Sequence, residues 1–316
     1  MLQTVSTEDQ FGSRSASVNV EVGCTTEPCD CMAVSVSRPT PLVSAPIQLG
    51  VFDSGVGGLS VLQEIMRELP DLPVMYLADQ AHAPYGGRSM DEIRAYSESI
   101  ARFLTGLGAG VIVIACNTAS AAALHTLRRE MPGTPFVGME PAVKPAAERT
   151  RSGHIGVIAT EATFQGELFA SLMDRFAHDV SVHNQVCPEL VPLVEAGDLD
   201  SVRARDAVRE YLDPLLSRGI DQLVLGCTHY PFLRPVIEGV AGSGVEIHDP
   251  APAVARQTGR IIEQLGWPRG KERAQTPRFF TTGDKDRLAA FVRRNLELDA
   301  PIRSAVWLPD GSLKTV

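Results

Sequence analysis

Two cysteines stand in matching settings. Val111-Ile-Val-Ile-Ala115 runs directly into Cys116-Asn117-Thr118, and Leu223-Val-Leu-Gly226 runs directly into Cys227-Thr228-His229-Tyr230. Each is a short apolar run of the kind that forms a strand buried on both faces. Each ends in a small residue and then a thiol beside amide, hydroxyl or imidazole groups. Ligands of parallel α/β sheets bind at the carboxyl ends of strands, so both thiols stand where chemistry is done. Two thiols presented to one substrate from opposite sides can take a proton from one face and return one to the other. That inverts a stereocentre without a cofactor.

Other residues near these runs have two readings each. A free thiol titrates near about 8.5, so only a few per cent is thiolate at neutral pH. His229 would be a structural histidine if it stood alone, but beside Cys227 it is placed to tune that fraction. Asp53-Ser54-Gly55-Val56-Gly57-Gly58-Leu59 follows an apolar run and opens a helix, a context that suits an anion held by backbone N–H groups. Its spacing departs from G-x-G-x-x-G, because Ser60 takes the third glycine position, which argues against a dinucleotide site. Asp53 is a helix cap or, with a cysteine run ending nearby, a participant; the second reading is preferred. Pro84-Tyr85-Gly86-Gly87 is a turn by composition, and loop and functional readings weigh equally there. Asn117, Thr118 and Thr228 serve equally well as helix caps. Cys187 lacks polar company and reads as a packed core thiol. On pattern alone, Glu195 at the end of Val191-Pro-Leu-Val-Glu195 is a solvated helix residue.

The positioning elements alternate regularly. Strands are predicted at 47–52, 74–78, 111–115, 135–139, 154–159, 180–185, 222–226 and 245–249, and helices at 59–68, 91–107, 119–130, 163–175, 201–217 and 232–239. This is the α/β class: mostly parallel sheets with helices on both faces. Gly50-Val-Phe-Asp53-Ser54 is similar to Gly156-Val-Ile-Ala159-Thr160, 106 residues later, and the cysteines lie 111 residues apart. Two matches at nearly one offset predict a duplication, with two similar α/β domains facing each other across a cleft and one cysteine in each. The expected limits are a first domain of 46–141 plus 251–316 and a second of 142–250. The proline-bearing segments 140–145 and 248–252 would be the crossings, and a strand–helix–strand unit at 278–308 would complete the first domain.

Composition bounds the function. A chain of 316 residues, 44% hydrophobic and 21% charged, is long enough for two cores. A net charge of −9 argues against general binding to nucleic acid or anionic membranes, and no apolar stretch is long enough to span a bilayer. Residues 1–45 lack the basic start and apolar core of a secretory signal, so the expected compartment is the cytoplasm, with reduced thiols. Those residues are rich in Ser, Thr, Val and Pro and read as a disordered or loosely attached tail. Cys24, Cys29 and Cys31 within it lack a fourth ligand and a nearby His, which argues against a metal site.

The segments 50–60, 84–86, 115–119 and 226–231 together closely resemble the glutamate racemase family, within the aspartate/glutamate racemase superfamily. The likeness continues through 138–146, 156–163 and 191–195 and covers roughly 47–250. It implies a substrate held between two α/β domains and independence from pyridoxal phosphate, metal and nucleotide. Cys116 matches the thiol that takes the α-proton of D-glutamate, and Cys227 the one that serves L-glutamate. Asp53 and His229 match the groups that assist Cys116 and Cys227, and Glu195 matches a further acid. Asp53, Ser54, Pro84, Tyr85, Gly86, Asn117, Thr118, Thr160, Thr228 and His229 match positions around the substrate. The resemblance further implies a homodimer and supply of D-glutamate for bacterial peptidoglycan. Because an α-proton is far less acidic than a thiol, such a site must stabilise a carbanion with oriented donors in a closed, dry cleft. Alternatives remain: an aspartate or other amino-acid racemase of this superfamily, a non-catalytic binding protein on the same fold, or a redox or metal protein using Cys116, Cys227 and His229. Glutamate and aspartate differ by one methylene, worth only about 1–3 kcal/mol, and no side chain in the motifs decides between them.

Overall fold

The apolar runs at 48–53, 74–78, 109–114, 154–159 and 222–226 do form strands, and they are buried along nearly their whole length, as a sheet covered on both faces requires. The structure is a computed structural model that describes residues 48–267 and 276–316. The expected tail and Cys24, Cys29 and Cys31 lie outside the described residues. One sheet contains β1 (Gln48–Asp53), β2 (Val74–Ala78), β3 (Ala109–Ile114), β4 (Phe136–Val137), β9 (Arg278–Thr281), β10 (Ile302–Trp307) and β11 (Leu313–Thr315), in the order β11-β10-β9-β2-β1-β3-β4. The other contains β5 (His154–Ala159), β6 (Ser181–Val186), β7 (Gln222–Gly226) and β8 (Glu246–His248), in the order β6-β5-β7-β8. Among the described residues every pairing is parallel except β10 with β11. The fold is two-domain α/β with mostly parallel sheets.

The two sheets share a plan. β2-β1-β3-β4 and β6-β5-β7-β8 have the same order, with the first strand of each set second in the row. β1 and β5 hold the two similar segments, and each cysteine follows the third strand of its set.

The helices are α1 (Leu59–Glu68), α2 (Met90–Gly106), α3 (Asn117–Glu130), α4 (Val143–Arg149), α5 (Glu161–Gln165), α6 (Glu167–Phe176), α7 (Leu190–Glu195), α8 (Val202–Leu216), α9 (Arg234–Ala241), α10 (Ala251–Gln264) and α11 (Lys285–Leu296). α2 is opened by a reciprocal Ser89–Glu92 capping box. Among the described residues no helix is long and apolar enough to cross a membrane.

Two expectations about helices are corrected. The predicted helix over 163–175 is two helices, α5 and α6, because Gly166 is extended (φ −75°, ψ 144°) and a Cβ there would lie 2.6 Å from Ala121 Cβ. The predicted helix at 232–239 begins with a tight 3₁₀ turn, Tyr230–Leu233, before α9. The proline-bearing segments 140–145 and 248–252 run into α4 and α10; Pro145 and Pro252 sit in first turns, where a missing N–H costs the helix nothing.

Packing differs on the two faces of the larger sheet. Phe52, Leu77, Ile112, Ile114 and Phe280 join Ile93, Ile100 and Leu104 of α2 and Leu124 and Leu127 of α3 in one apolar cluster. Val51, Val111 and Val113 join Leu59, Leu62 and Ile65 of α1 and Val254 and Ile262 of α10 in another. Each such side chain contributes about 1.5–3 kcal/mol on full burial. The strand ends that carry the polar motifs are thereby held on a rigid platform.

Candidate active site

The turn after β1 is built around carboxylates. Asp53, the last residue of β1, is fully buried, and its Oδ2 accepts from the N–H groups of Gly55 (3.2 Å) and Gly58 (2.9 Å). The Val56 N–H donates to Glu195 Oε1 at 2.7 Å. The sequence suggested a turn that grips an anion, and these three N–H groups grip anions of the protein itself. Tyr76 on β2 donates to Gly55 O at 2.7 Å and pins the turn from below. A Cβ at Gly55 would overlap the Glu195 carboxylate, and one at Gly57 would overlap His229 and Thr228. The turn is glycine-rich because the other half of the molecule comes into direct contact with it.

Cys116 follows β3 and is the N-cap of α3, accepting from the Ala119 N–H at 3.5 Å. It is 5% exposed, with Sγ 4.0 Å from Ser54 Oγ. Burial, and then the charge of Asp53, push its thiol well above the ordinary value, while the Ala119 N–H pulls the other way. Few thiolates form at such a site, but a desolvated thiolate that does form is a strong base.

Cys227 follows β7 and is 7% exposed, with Sγ 3.7 Å from His229 Nδ1. The other imidazole nitrogen, Nε2, lies 2.8 Å from Glu195 Oε1. A carboxylate oxygen only accepts, so Nε2 carries a proton and Nδ1 is left to exchange one with the thiol. Burial disfavours the imidazolium, but the contacts to Cys227 and Glu195 outweigh it and raise the His229 pKa well above its ordinary value. Burial of Glu195 works against its charge, but His229, Val56 and Gln80 prevail and its pKa is lowered. The expectation of a solvated Glu195 is overturned: its side chain is 14% exposed, facing His229 rather than solvent.

Both thiols line one cavity. Its wall is formed by Ser54, Pro84, Tyr85, Gly86, Cys116, Asn117 and Thr118 from the larger sheet's side, and by Thr160, Val191, Cys227, Thr228 and His229 from the other. The open volume is about 10 Å³, near the lower limit for one water, so this is a closed arrangement. Thr118 and Thr160 hydroxyls meet at 2.8 Å across the two halves, and Thr160 meets Thr163 at 2.9 Å. Asn117 is 3% exposed, yet its Oδ1 and Nδ2 have no partner within the protein. A buried amide costs about 1–3 kcal/mol when left unpaired, so a ligand with both a donor and an acceptor belongs beside it. Among the described residues no group of three or more His, Cys, Asp or Glu is arranged to hold a metal ion.

A family model described as Asp/Glu/Hydantoin racemase matches residues 49–258. The chain belongs to the Asp/Glu/hydantoin racemase family. A glutamate racemase of Roseiflexus sp. (strain RS-1) is 49% identical over 254 residues, covering 80% of this chain and 92% of that protein. The crystal structure of Escherichia coli glutamate racemase in complex with L-glutamate and the activator UDP-MurNAc-Ala is 32% identical with a TM-score of 0.73, covering 83% of this chain and 99% of that one. A Francisella tularensis glutamate racemase solved with D-glutamate is 26% identical with a TM-score of 0.71, covering 82% and 97%.

In this racemase-family chain every residue that the resemblance assigned to the site lines the closed cavity or touches a residue that does. Asp53 and Glu195 are the two that stand behind the wall. Cys187 is fully buried and stands apart from the cavity wall, as its apolar surroundings suggested. Volume is a poor guide to the chemistry here. A roomier cavity of about 600 Å³, near Arg128, Lys144, Arg175 and Asp249, contains neither thiol.

Sequence reasoning missed Asp79 and Gln80, which follow β2. Asp79 is fully buried and accepts from Tyr85 (2.7 Å), Thr282 (2.7 Å) and Trp307 (2.8 Å), with His82 Nδ1 at 2.9 Å. It thereby fixes the Tyr85 that lines the cavity. The signal available was position: both residues end a buried strand beside β1.

Proposed function

We propose that this chain interconverts L- and D-glutamate, with Cys116 and Cys227 as the two acid/base groups. Cys116 as thiolate takes the α-proton of D-glutamate while the Cys227 thiol protonates the opposite face; L-glutamate runs the steps in reverse. Asp53 assists Cys116, and His229, oriented by Glu195, assists Cys227. Asn117, Thr118, Thr160, Thr228, Ser54, Tyr85 and Gly86, with Pro84 beside them, hold the ammonium and carboxylate groups. The observation that carries this reading is that two thiols from the two halves line one closed cavity, Cys227 with His229 Nδ1 at 3.7 Å and Cys116 within the field of the Asp53 carboxylate. The named activities of the relatives support glutamate as substrate.

The thiol partners supply what the chemistry demands. Abstraction creates negative charge at the α-carbon and its carboxylate, and preorganised hydroxyl and amide donors in a water-poor site stabilise it. The cavity must open to admit a substrate and close again before proton transfer. We place the hinge between domains of 46–141 plus 251–316 and 142–250, and read the enzyme as a cytoplasmic homodimer whose D-glutamate serves peptidoglycan synthesis.

The test is α-proton exchange in D₂O followed by NMR, with L-glutamate, D-glutamate and L-aspartate given separately under reducing conditions. Both glutamates are expected to exchange and invert, and Cys116→Ser and Cys227→Ser are each expected to lose inversion by about 10²–10⁴-fold. Faster turnover of aspartate would replace the substrate and keep the mechanism. Silence with all three would overturn the assignment.

A further inference from the structure

Behind the catalytic wall lies a second cavity of about 320 Å³, bounded in part by Gln80, Pro84, Val191 and Glu195. It shares Pro84, Val191 and the back of Glu195 with the active-site region but contains neither thiol. Gln80 stands in its wall at the end of a directional chain of hydrogen bonds. The Gly283 N–H donates to Thr281 Oγ1 at 3.0 Å, and the Thr281 hydroxyl donates to Gln80 Oε1 at 2.9 Å. With Oε1 committed as acceptor, the amide has one orientation left, and Gln80 Nε2 donates to Glu195 Oε2 at 3.2 Å.

Glu195 therefore accepts on both oxygens: from Val56 and His229 on Oε1, from Gln80 on Oε2. Its backbone is held too, since Arg287 Nε donates to the Glu195 carbonyl at 3.0 Å. A carboxylate gripped at one oxygen alone can rotate and pick up a proton; gripped at both, it stays charged and aimed. We propose that Gln80 is a positioning residue for proton transfer at Cys227: it holds the Glu195 carboxylate in the orientation that sets His229 against the thiol. The inference rests on the reading of Cys227 and His229 as catalytic. It assigns a task in the reaction to the strand–helix–strand unit at 278–307, because Thr281 ends β9 and Arg287 lies on α11.

The ionisable groups around this chain are few. Cys227 faces His229 directly, Asp53 acts on it from the end of β1, and Tyr76 on β2 lies within the field of Glu195 and Asp53. Asp284 and Arg287, at the start of α11, line the side cavity.

Gln80→Glu and Gln80→Leu separate positioning from packing. The introduced carboxyl has the shape of the amide. When protonated it donates to Glu195 and accepts from Thr281 as the amide does; when ionised it places two carboxylates face to face. Such a pair holds one proton well above the usual carboxylate range. Gln80→Glu is therefore expected to keep kcat within about threefold of the parent at pH 6 and to fall roughly tenfold against it by pH 9. Gln80→Leu is expected to lose about tenfold in kcat at every pH. KM should stay within about twofold in both, because Gln80 is not in the wall of the thiol cavity.

Circular dichroism at each pH accompanies the kinetics. Parent-like kcat across the range in both folded variants would overturn the proposal, and so would a rise in KM at constant kcat. If neither variant folds, Thr281→Val decides, since it removes only the hydroxyl that orients the amide. A roughly threefold loss in kcat at constant KM supports the proposal, and unchanged kcat overturns it. An unsubstituted protein that racemises nothing defeats the underlying reading instead, so the two failures are distinct.

Discussion

The two halves present their thiols on the same scaffold and surround them with different acids. β2-β1-β3-β4 matches β6-β5-β7-β8 strand for strand, and each cysteine follows the third strand of its set. Position by position, the groups beside the thiols diverge. The strand-end residue is Asp53 in one half and Ala159 in the other; two residues after the thiol stands Thr118 in one and His229 in the other. In the first half a buried carboxylate, Asp53, acts on the thiol with no imidazole in between. In the second the carboxylate, Glu195, acts from α7 through an imidazole. Repetition of a sheet places two thiols alike, while the groups beside them differ at the end of β1, in the turn after β7 and at the end of α7.

Replacing the partners makes the largest predicted difference. Asp53→Asn and His229→Asn should each lower kcat/KM by about 10²–10⁴-fold, since each removes one proton carrier. The equilibrium constant between enantiomers is unity, so kcat/KM must fall equally in both directions in either variant. The asymmetry has to appear elsewhere. In α-proton exchange without inversion, His229→Asn should spare exchange from D-glutamate and Asp53→Asn exchange from L-glutamate. Equal suppression of both exchanges in both variants would end the assignment of one partner to each thiol.

Where the halves meet, glycine makes the contact possible. Gly57→Ala should cost about 1–3 kcal/mol of stability and roughly 10²-fold in activity, because its Cβ would displace His229 and Thr228. Gly87→Ala, whose Cβ meets nothing within 4 Å, is the control and should fall within about 0.5 kcal/mol of the parent by urea denaturation. A tolerant Gly57 would mean that the closed arrangement is not the one in which proton transfer occurs.

How much of this was legible follows the same division. The strands were readable because a buried parallel strand must be a short apolar run, and both thiols were readable because strand ends are where such runs stop. The two-sheet plan showed itself in one repeated offset. Gly166 hid a break between two helices, since its effect depends on Ala121, a partner distant in sequence. Glu195 was misjudged on pattern for the same reason: its partners Val56, Gln80 and His229 come from three other segments. The resemblance recovered Glu195 but not Gln80 or Asp79, whose tasks exist only once β9 folds beside β2 and β10 beside β9.

The halves should also differ in how pH acts on stability. Glu195 has a lowered pKa, so its stabilising contribution is present above about 4.3, the ordinary carboxyl value, and is lost as pH falls through its folded value. His229 has a raised pKa, so its contribution is complete below about 6.5 and is lost as pH rises through its folded value. The Cys116 thiol is also raised, and its contribution begins to fall only above about 8.5. Urea midpoints from pH 3 to 10 should therefore show an alkaline decline in two stages. His229→Asn should remove the earlier stage and Cys116→Ser should weaken the later one, which the buried and likewise raised Cys187 thiol shares, while Glu195→Gln should flatten the acid limb. A single stage untouched by His229→Asn would show that the imidazole gains nothing from its buried partners.

The smallest effect expected lies at the seam. Thr160→Val removes a hydroxyl that meets Thr118 at 2.8 Å and Thr163 at 2.9 Å while keeping nearly the same shape. A neutral hydrogen bond contributes about 0.5–1.5 kcal/mol net, and Thr163 remains 3.4 Å from Thr118 as an alternative partner, so the stability loss should be about 1 kcal/mol. The larger consequence should be in KM. Thr160 lies on the cavity wall from the second half and Thr118 from the first, so on the proposed reading their contact would help hold the two halves around a substrate. A severalfold rise in KM for both enantiomers, with kcat nearly kept, is the outcome of weakened closure. A fall in kcat at constant KM would instead make the Thr160 hydroxyl a donor to the charge that develops in proton transfer, and would break the division of labour by which the thiol partners move protons and the seam holds the substrate.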